Sequence, residues 1–217
     1  LIVLVGFMGA GKSTVGRALA SRVGLPFVDS DHVIERATGR TVREIFAADG
    51  ESAFRQLERE TVAQLLQGPE AVLALGGGAV EHPATRAALA AVPVVFLQVD
   101  LADALARTGA DARRPVLRRP DLPDLFEHRQ VAYQEVASFV VPTGGRTVEQ
   151  LASDILGEFA ALLASAEADD GAGDEAGDGA GADRAIDQSG RAGPALRPRT
   201  AGASPGRRRS PPQPRPT

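Results

Sequence analysis

Short apolar runs at Leu1–Val5, Pro26–Asp29, Ala71–Leu75, Val94–Val99 and Phe139–Val141 punctuate the chain, and segments with helical spacing of apolar residues separate them. A half-exposed strand alternates apolar with polar residues, whereas a strand buried on both faces reads as one continuous apolar run. These runs therefore predict parallel strands covered by helices. The helical segments are Lys12–Val23, His32–Ala37, Val42–Ala48, Ser52–Gln67, Pro83–Ala91, Ala102–Arg107, Leu122–Val136 and Val148–Ala164. The alternation predicts a single three-layer α/β/α domain whose ligands sit at the carboxyl ends of the strands. Gly6–Thr14, Asp29-Ser30-Asp31 and Gly76-Gly77-Gly78 each follow directly on a strand, so the pattern brings all of them to one crevice.

The pattern stops near Ser165. Residues 165–217 are Gly, Ala, Asp, Pro and Arg with almost no large apolar side chain, too little to offset the entropy of ordering them, and are expected to be a disordered tail. The tail is acidic from Glu167 to Asp187 and basic from Arg191 to Arg215, densest at Arg207-Arg208-Arg209. Such an arm reads first as a solvated extension. Residues 1–164, with a lid at about 109–123, form the expected folded domain. The net charge of the 217 residues is −4, which gives the folded part no character of a nucleic-acid-binding body. The chain contains no cysteine, excluding a disulfide scaffold and cysteine-based metal or nucleophile sites. No apolar run approaches membrane-spanning length, and the opening run lacks the flanks of a signal peptide, so a soluble cytoplasmic protein without a membrane partner is expected. The chain opens at Leu1 inside its first strand, without methionine, and a few preceding residues are expected.

The only lysine, Lys12, lies in Gly6-Phe7-Met8-Gly9-Ala10-Gly11-Lys12-Ser13-Thr14. Glycine, four residues, then Gly-Lys-Ser between a strand and a helix is a phosphate-binding loop. Its glycines let backbone N–H groups form an anion nest, Lys12 reaches the outer phosphates, and the Ser13 hydroxyl suits Mg²⁺. The helix that follows adds its positive end. Of Asp29 and Asp31, one suits the metal and the other suits an acceptor hydroxyl, with helix capping by Asp31 as the plain alternative. Gly76-Gly77-Gly78 exposes backbone amides or is a tight turn. Arg55 and Arg129 lie on helices where a lone arginine ordinarily faces solvent, yet two converging guanidiniums would match a substrate carboxylate. The segment Gly109–Pro123 carries Arg113, Arg114, Arg118 and Arg119 and reads as a lid, or as a plain surface loop. His32, His82 and His128 have no partners at metal-ligand spacing and read as structural or surface residues.

Gly6–Thr14, Asp29-Ser30-Asp31, Ile45-Phe46 followed by Gly50-Glu51-Ser52-Ala53-Phe54-Arg55, the Gly76-Gly77-Gly78 turn and Arg114-Pro115 stand in an order and spacing that strongly resemble shikimate kinase, from Leu1 to about Leu163. The resemblance implies a P-loop kinase fold of the nucleoside-monophosphate-kinase type, with a five-stranded parallel sheet in order 2-3-1-4-5. It implies a monomer that transfers the γ-phosphate of ATP to the 3-hydroxyl of shikimate, on the way to chorismate and the aromatic amino acids. By the same resemblance Gly9, Ala10, Gly11, Lys12, Ser13 and Thr14 hold the nucleotide, Ser13 and, through water, Asp29 hold Mg²⁺, and Asp31 binds shikimate hydroxyls as base or orienter. Arg55 and Arg129 grip the shikimate carboxylate; Gly76, Gly77 and Gly78 line the ring, and Phe46 and Phe54 wall the pocket. Arg114 reaches the phosphates from the lid, Arg107 packs over adenine, and Arg146 lies on the adenine side. One departure is the absence of the family's proline from Thr143-Gly144-Gly145-Arg146-Thr147; the charged tail is another.

Two rival readings remain at this stage. Gluconate kinase shares the architecture and also phosphorylates a polyhydroxy acid, but the set Asp31, Arg55, Gly76–Gly78 and Arg129 favours shikimate. A regulatory protein that binds nucleotide without turnover would have lost part of a catalytic set that is complete here.

Overall fold

The computed structural model describes residues 1–109 and 120–171. Strands β1 (Ile2–Val5), β2 (Phe27–Asp29), β3 (Val72–Ala74), β4 (Val94–Gln98) and β5 (Phe139–Pro142) form one parallel sheet in the order β2-β3-β1-β4-β5, as the resemblance implies. In register, Leu4 of the central β1 lies between Ala74 of β3 and Val95 of β4. All residues of β3 and nearly all of β1 and β4 are buried, which is why they read as unbroken apolar runs.

Helices α1 (Lys12–Val23), α2 (Ser30–Thr38), α3 (Val42–Leu66), α4 (Pro83–Leu89), α5 (Leu101–Thr108), α6 (Leu122–Val136) and α7 (Val148–Gly171) surround the sheet, with a 3₁₀ turn at Ala79–Glu81. On one side α1 packs against α7 and β3, and α7 against β5; elsewhere α6 packs on β4 and on the 3₁₀ turn. The core between the layers is made of fully buried side chains such as Leu4, Leu19, Leu73, Leu89, Phe96 and Ile155. Each contributes roughly 1.5–3 kcal/mol by leaving water.

The spacing predicts two helices, Val42–Ala48 and Ser52–Gln67, and the segment α3 is indeed two helices that meet at a non-helical residue. The break falls at Gly50, whose φ of 85° and ψ of 171° no side-chain-bearing residue adopts cheaply, so the helix axis turns there. Thr41 opens this segment with a capping box: its Oγ1 accepts from Glu44 N–H at 3.2 Å, and Glu44 accepts from Thr41 N–H at 2.7 Å. Ile34, Ile45 and Phe54 form a second, smaller apolar cluster that joins α2 to α3 apart from the main core. Helix α7 continues past Ala164 to Gly171, within the expected tail. The rest of the tail, 172–217, and most of the expected lid, including Arg114, lie outside the described residues.

Candidate active site

The loop between β1 and α1 is shaped by its glycines. Gly9 has φ 79°, and a Cβ there would stand 2.7 Å from the backbone oxygen of Ala104, so α5 closes over the loop only because the position is bare. Gly11 caps α1 in the left-handed conformation and offers no capping side chain. The first turn thus presents its backbone and its dipole without a resident carboxylate, as an anion site requires. Lys12 Nζ lies across the loop and donates to the carbonyls of Gly6 at 2.7 Å and Phe7 at 3.1 Å. Arg107, from α5, donates to Gly9 O at 3.3 Å, to Thr143 Oγ1 at 3.0 Å and to Thr143 O at 3.2 Å, joining the phosphate loop to the loop after β5. Arg146 stands further along that second loop and pairs with Asp154 of α7 at 2.7 Å.

Ser13 Oγ donates to Asp29 Oδ2 at 2.7 Å, which sets two hard oxygen donors side by side at the start of α1. Among the described residues there is no cluster of three His, Cys, Asp or Glu able to hold a metal by itself. The pair therefore fits an ion held mostly by phosphate oxygens and water, as Mg²⁺ usually is. Asp29, not Asp31, caps α2: its Oδ1 accepts from Asp31 N–H at 3.1 Å. Strand alternation ends at Asp29 because the helix begins at Ser30, and this frees the Asp31 side chain.

Asp31 is the electrostatic focus of the site. Its Oδ1 is buried and has no hydrogen-bond partner among the described residues. Burial foremost, then the neighbouring Asp29 and Glu58, push its carboxyl from 3.8 up to about 6, with Lys12 pulling the other way. A carboxylate in that range is suited to proton exchange near neutrality. Beside it, Ser30 Oγ accepts from Gly76 N–H at 2.9 Å and so fastens the glycine turn to the start of α2. A Cβ on Gly76 would run into Glu58 Oε1 and come within 2.7 Å of Asp31 Oδ1, so the two carboxylates approach the same bare backbone.

Arg55 and Arg129 converge from α3 and α6. Arg55 Nη1 donates to Glu58 Oε2 at 2.7 Å and Nη2 to Glu51 Oε1 at 3.1 Å. Burial works against the Arg55 charge, but Glu58 leads a set of carboxylates that outweighs it and holds the guanidinium above its ordinary pKa. Arg129 is 2% exposed, and its Nη2 donates to Glu81 Oε2 at 2.8 Å. Glu58 is likewise 2% exposed, and burial raises its carboxyl above the ordinary value despite Arg55.

These side chains line one cavity of about 460 Å³: Lys12, Ser13, Asp29 and Asp31 from the phosphate side, Phe46, Phe54 and Arg55 from α3, the three glycines, and Arg129. Phe46 and Phe54 pack with ring centroids 4.7 Å apart and planes tilted by 40°, and form its apolar wall. A larger hollow of about 650 Å³ lies outside α2 and includes none of Lys12, Asp31, Arg55 or Arg129, so the chemistry belongs to the smaller one. His32 stands at the rim of both hollows, His82 caps α4 by accepting from Ala84 N–H at 3.1 Å, and His128 is exposed. Sequence reading gave no role to Glu58, Glu81 or Tyr133. Glu58 carried a signal: it shares a helix face with Phe54 and Val62, an acid within an apolar stripe.

A phosphate loop at the end of the central strand, a carboxylate poised for proton exchange and a paired-arginine pocket on one parallel sheet define a P-loop phosphotransferase for a small anionic acceptor. The shikimate kinase family model matches residues 8–160. The chain is 49% identical over 164 residues to the shikimate kinase of Thermobifida fusca, covering 74% of this chain and 95% of the relative. It is 50% identical over 154 residues to that of Streptomyces coelicolor, covering 70% and 90%. The shikimate kinase of Acinetobacter baumannii, solved in complex with shikimate, superposes with a TM-score of 0.72 at 40% identity, covering 74% of this chain and 93% of that one. The chain belongs to the shikimate kinase family and is an ATP-dependent kinase.

Proposed function

We propose that the protein transfers the γ-phosphate of ATP to the 3-hydroxyl of shikimate, giving shikimate 3-phosphate and ADP on the route to chorismate and the aromatic amino acids. One observation carries the reading. Asp31, with a buried oxygen that has no hydrogen-bond partner among the described residues, lines the same cavity as Lys12 of the phosphate loop and the Arg55 and Arg129 guanidiniums.

In this reading the loop from Gly9 to Thr14 cradles the β- and γ-phosphates, and Lys12 moves its ammonium from the loop carbonyls to the phosphate oxygens. Ser13 and Asp29 would hold Mg²⁺, which when bound would neutralise charge on the phosphates. Arg55 and Arg129 receive the shikimate carboxylate, the glycine turn and Phe46 with Phe54 bound the ring, and the 3-hydroxyl faces Asp31. The hydroxyl proton passes to the Asp31 carboxylate as its oxygen bonds to the γ-phosphorus and the bond to the β-phosphate oxygen breaks, leaving ADP. Arg107 borders the adenine side, with Arg146 beyond it. The phosphate-binding role that the resemblance implies for Arg114 falls outside the described residues.

The test is Mg²⁺-dependent release of ADP from ATP with shikimate as acceptor, beside gluconate and a no-acceptor control. Turnover that depends on shikimate supports the reading. Gluconate turnover without shikimate turnover would replace the acceptor, and ATP binding without turnover on either would make the chain a nucleotide-binding regulator.

A further inference from the structure

The two guanidiniums of the pocket come from helices far apart in the sequence, and what lies against both of those helices is the 3₁₀ turn Ala79–Glu81. Its last residue faces both arginines with one atom. Glu81 Oε2 accepts from Arg129 Nη2 at 2.8 Å and lies 3.7 Å from Arg55 Nη2. The backbone that presents this carboxylate is itself pinned. Glu81 N–H donates to Gly78 O at 3.0 Å, while Arg86 Nη1 donates to Val80 O at 2.8 Å and to Glu81 O at 3.1 Å. Both arginines line the 460 Å³ cavity and Glu81 does not, so the carboxylate grips them from outside the pocket.

Resting on the carboxylate reading of this pair, we infer that Glu81 is a positioning residue that draws the Arg55 and Arg129 guanidiniums together so that their remaining N–H groups converge on the substrate carboxylate. Two neighbouring cations repel, and Arg129, almost fully buried, has little water to screen it. Arg55 has Glu51 and Glu58 as further ion-pair partners, whereas among the described residues the only ion pair of Arg129 is with Glu81. Its Nε is buried without a hydrogen-bond partner among the described residues. Loss of the Glu81 carboxylate therefore frees Arg129 first. Both nitrogens of a bidentate grip are then misplaced, though the phosphate loop is untouched.

The experiment uses the full chain with Glu81→Ala and Glu81→Gln, read as KM for shikimate, KM for ATP and kcat, with Arg129→Ala as control. Glu81→Ala should raise the KM for shikimate about tenfold while the KM for ATP stays unchanged. Glu81→Gln, which keeps an acceptor for Arg129 Nη2, should recover part of the loss. Calorimetric binding of shikimate and of its neutral carboxamide separates the causes: the preference for the carboxylate should shrink in Glu81→Ala. If Arg129→Ala leaves the KM for shikimate unchanged, the carboxylate reading of the pair falls. If Arg129→Ala raises it while Glu81→Ala leaves it unchanged or lowers it, the role of Glu81 alone is overturned, a fall marking Glu81 as a competitor for the arginines. Equal rises in both KM values, with a lowered Tm in both Glu81 variants, would mean general loosening and would overturn it too.

Discussion

The Tyr133 hydroxyl donates a hydrogen bond to the Gly77 carbonyl at 2.5 Å, from a side chain with no exposed surface. This contact ties α6 to the glycine turn one helical turn after Arg129, so the arginine and the turn are held as one body. Burial pushes the phenol above its ordinary pKa, and it remains a donor throughout the working range.

Tyr133→Phe keeps the ring and leaves the Gly77 carbonyl without its partner. We expect a loss of roughly 1–3 kcal/mol, seen as a Tm lower by several degrees, and a raised KM for shikimate with little change in that for ATP. An unchanged melting curve would mean the bond carries no weight.

Asp31 must be ionised to take a proton, and its carboxyl lies at about 6. The free-enzyme parameter kcat/KM for shikimate should therefore climb with pH up to about 6 and then level. Asp31→Asn should lower kcat by about two orders of magnitude or more with ATP affinity nearly intact. Near-normal turnover in that variant would remove the assigned role.

The same carboxyl makes a prediction about stability. A pKa raised from 3.8 to about 6 by folding means that the protonated form suits the native state, so the stabilising contribution is complete below 3.8 and is lost as pH rises through about 6. Asparagine never ionises and escapes that loss. Thermal melts should show Asp31→Asn gaining on the wild type across this window, by roughly 2–4 °C for each kcal/mol. A gap that is constant with pH would contradict the burial of the charge.

Ser13→Ala removes the hydroxyl that meets Asp29 at 2.7 Å. The Mg²⁺ concentration for half-maximal activity should rise by at least about tenfold, while the KM for shikimate holds. An unaltered Mg²⁺ titration would exclude Ser13 as a ligand.

A Cβ at Gly78 would land on the Arg55 guanidinium. Gly78→Ala should therefore displace Arg55 and raise the KM for shikimate about tenfold, yet fold nearly as well, since the obstructed group is the end of a flexible side chain. Steady-state kinetics together with a melting curve check both halves.

Where local chemistry decides the structure, the sequence was transparent. The strands are legible because a strand covered on both faces needs apolar residues at every position, as in Val94, Val95, Phe96 and Leu97. The loop Gly6–Thr14 is legible because its function rests on the backbone conformation of its own glycines. Asp29 and Asp31 were legible as a pair, and the resemblance divided their roles, but which of them caps α2 was not legible. It depends on a strand ending one residue before a helix begins, and boundaries of that kind are set by tertiary packing. Glu81 and Tyr133 were invisible for another reason. Each acts on a residue 48 or 56 positions away, and nothing in its own neighbourhood signals the contact. Arg55 shows the middle case: taken alone it belongs in solvent, and it is drawn inward to 22% side-chain exposure by acids on its own helix at i−4 and i+3.

Lys12 is the only lysine of the chain, and its Nζ rests on the carbonyls of Gly6 and Phe7. Apart from a terminal amine, every reagent that seeks primary amines has one target here, and it stands in the loop between β1 and α1. Reductive methylation with isotope-enriched formaldehyde would install one side-chain resonance, reporting whether that ammonium leans on the loop or on a phosphate. The composition that stripped lysine from the surface has left the enzyme with a built-in single-site spectroscopic probe.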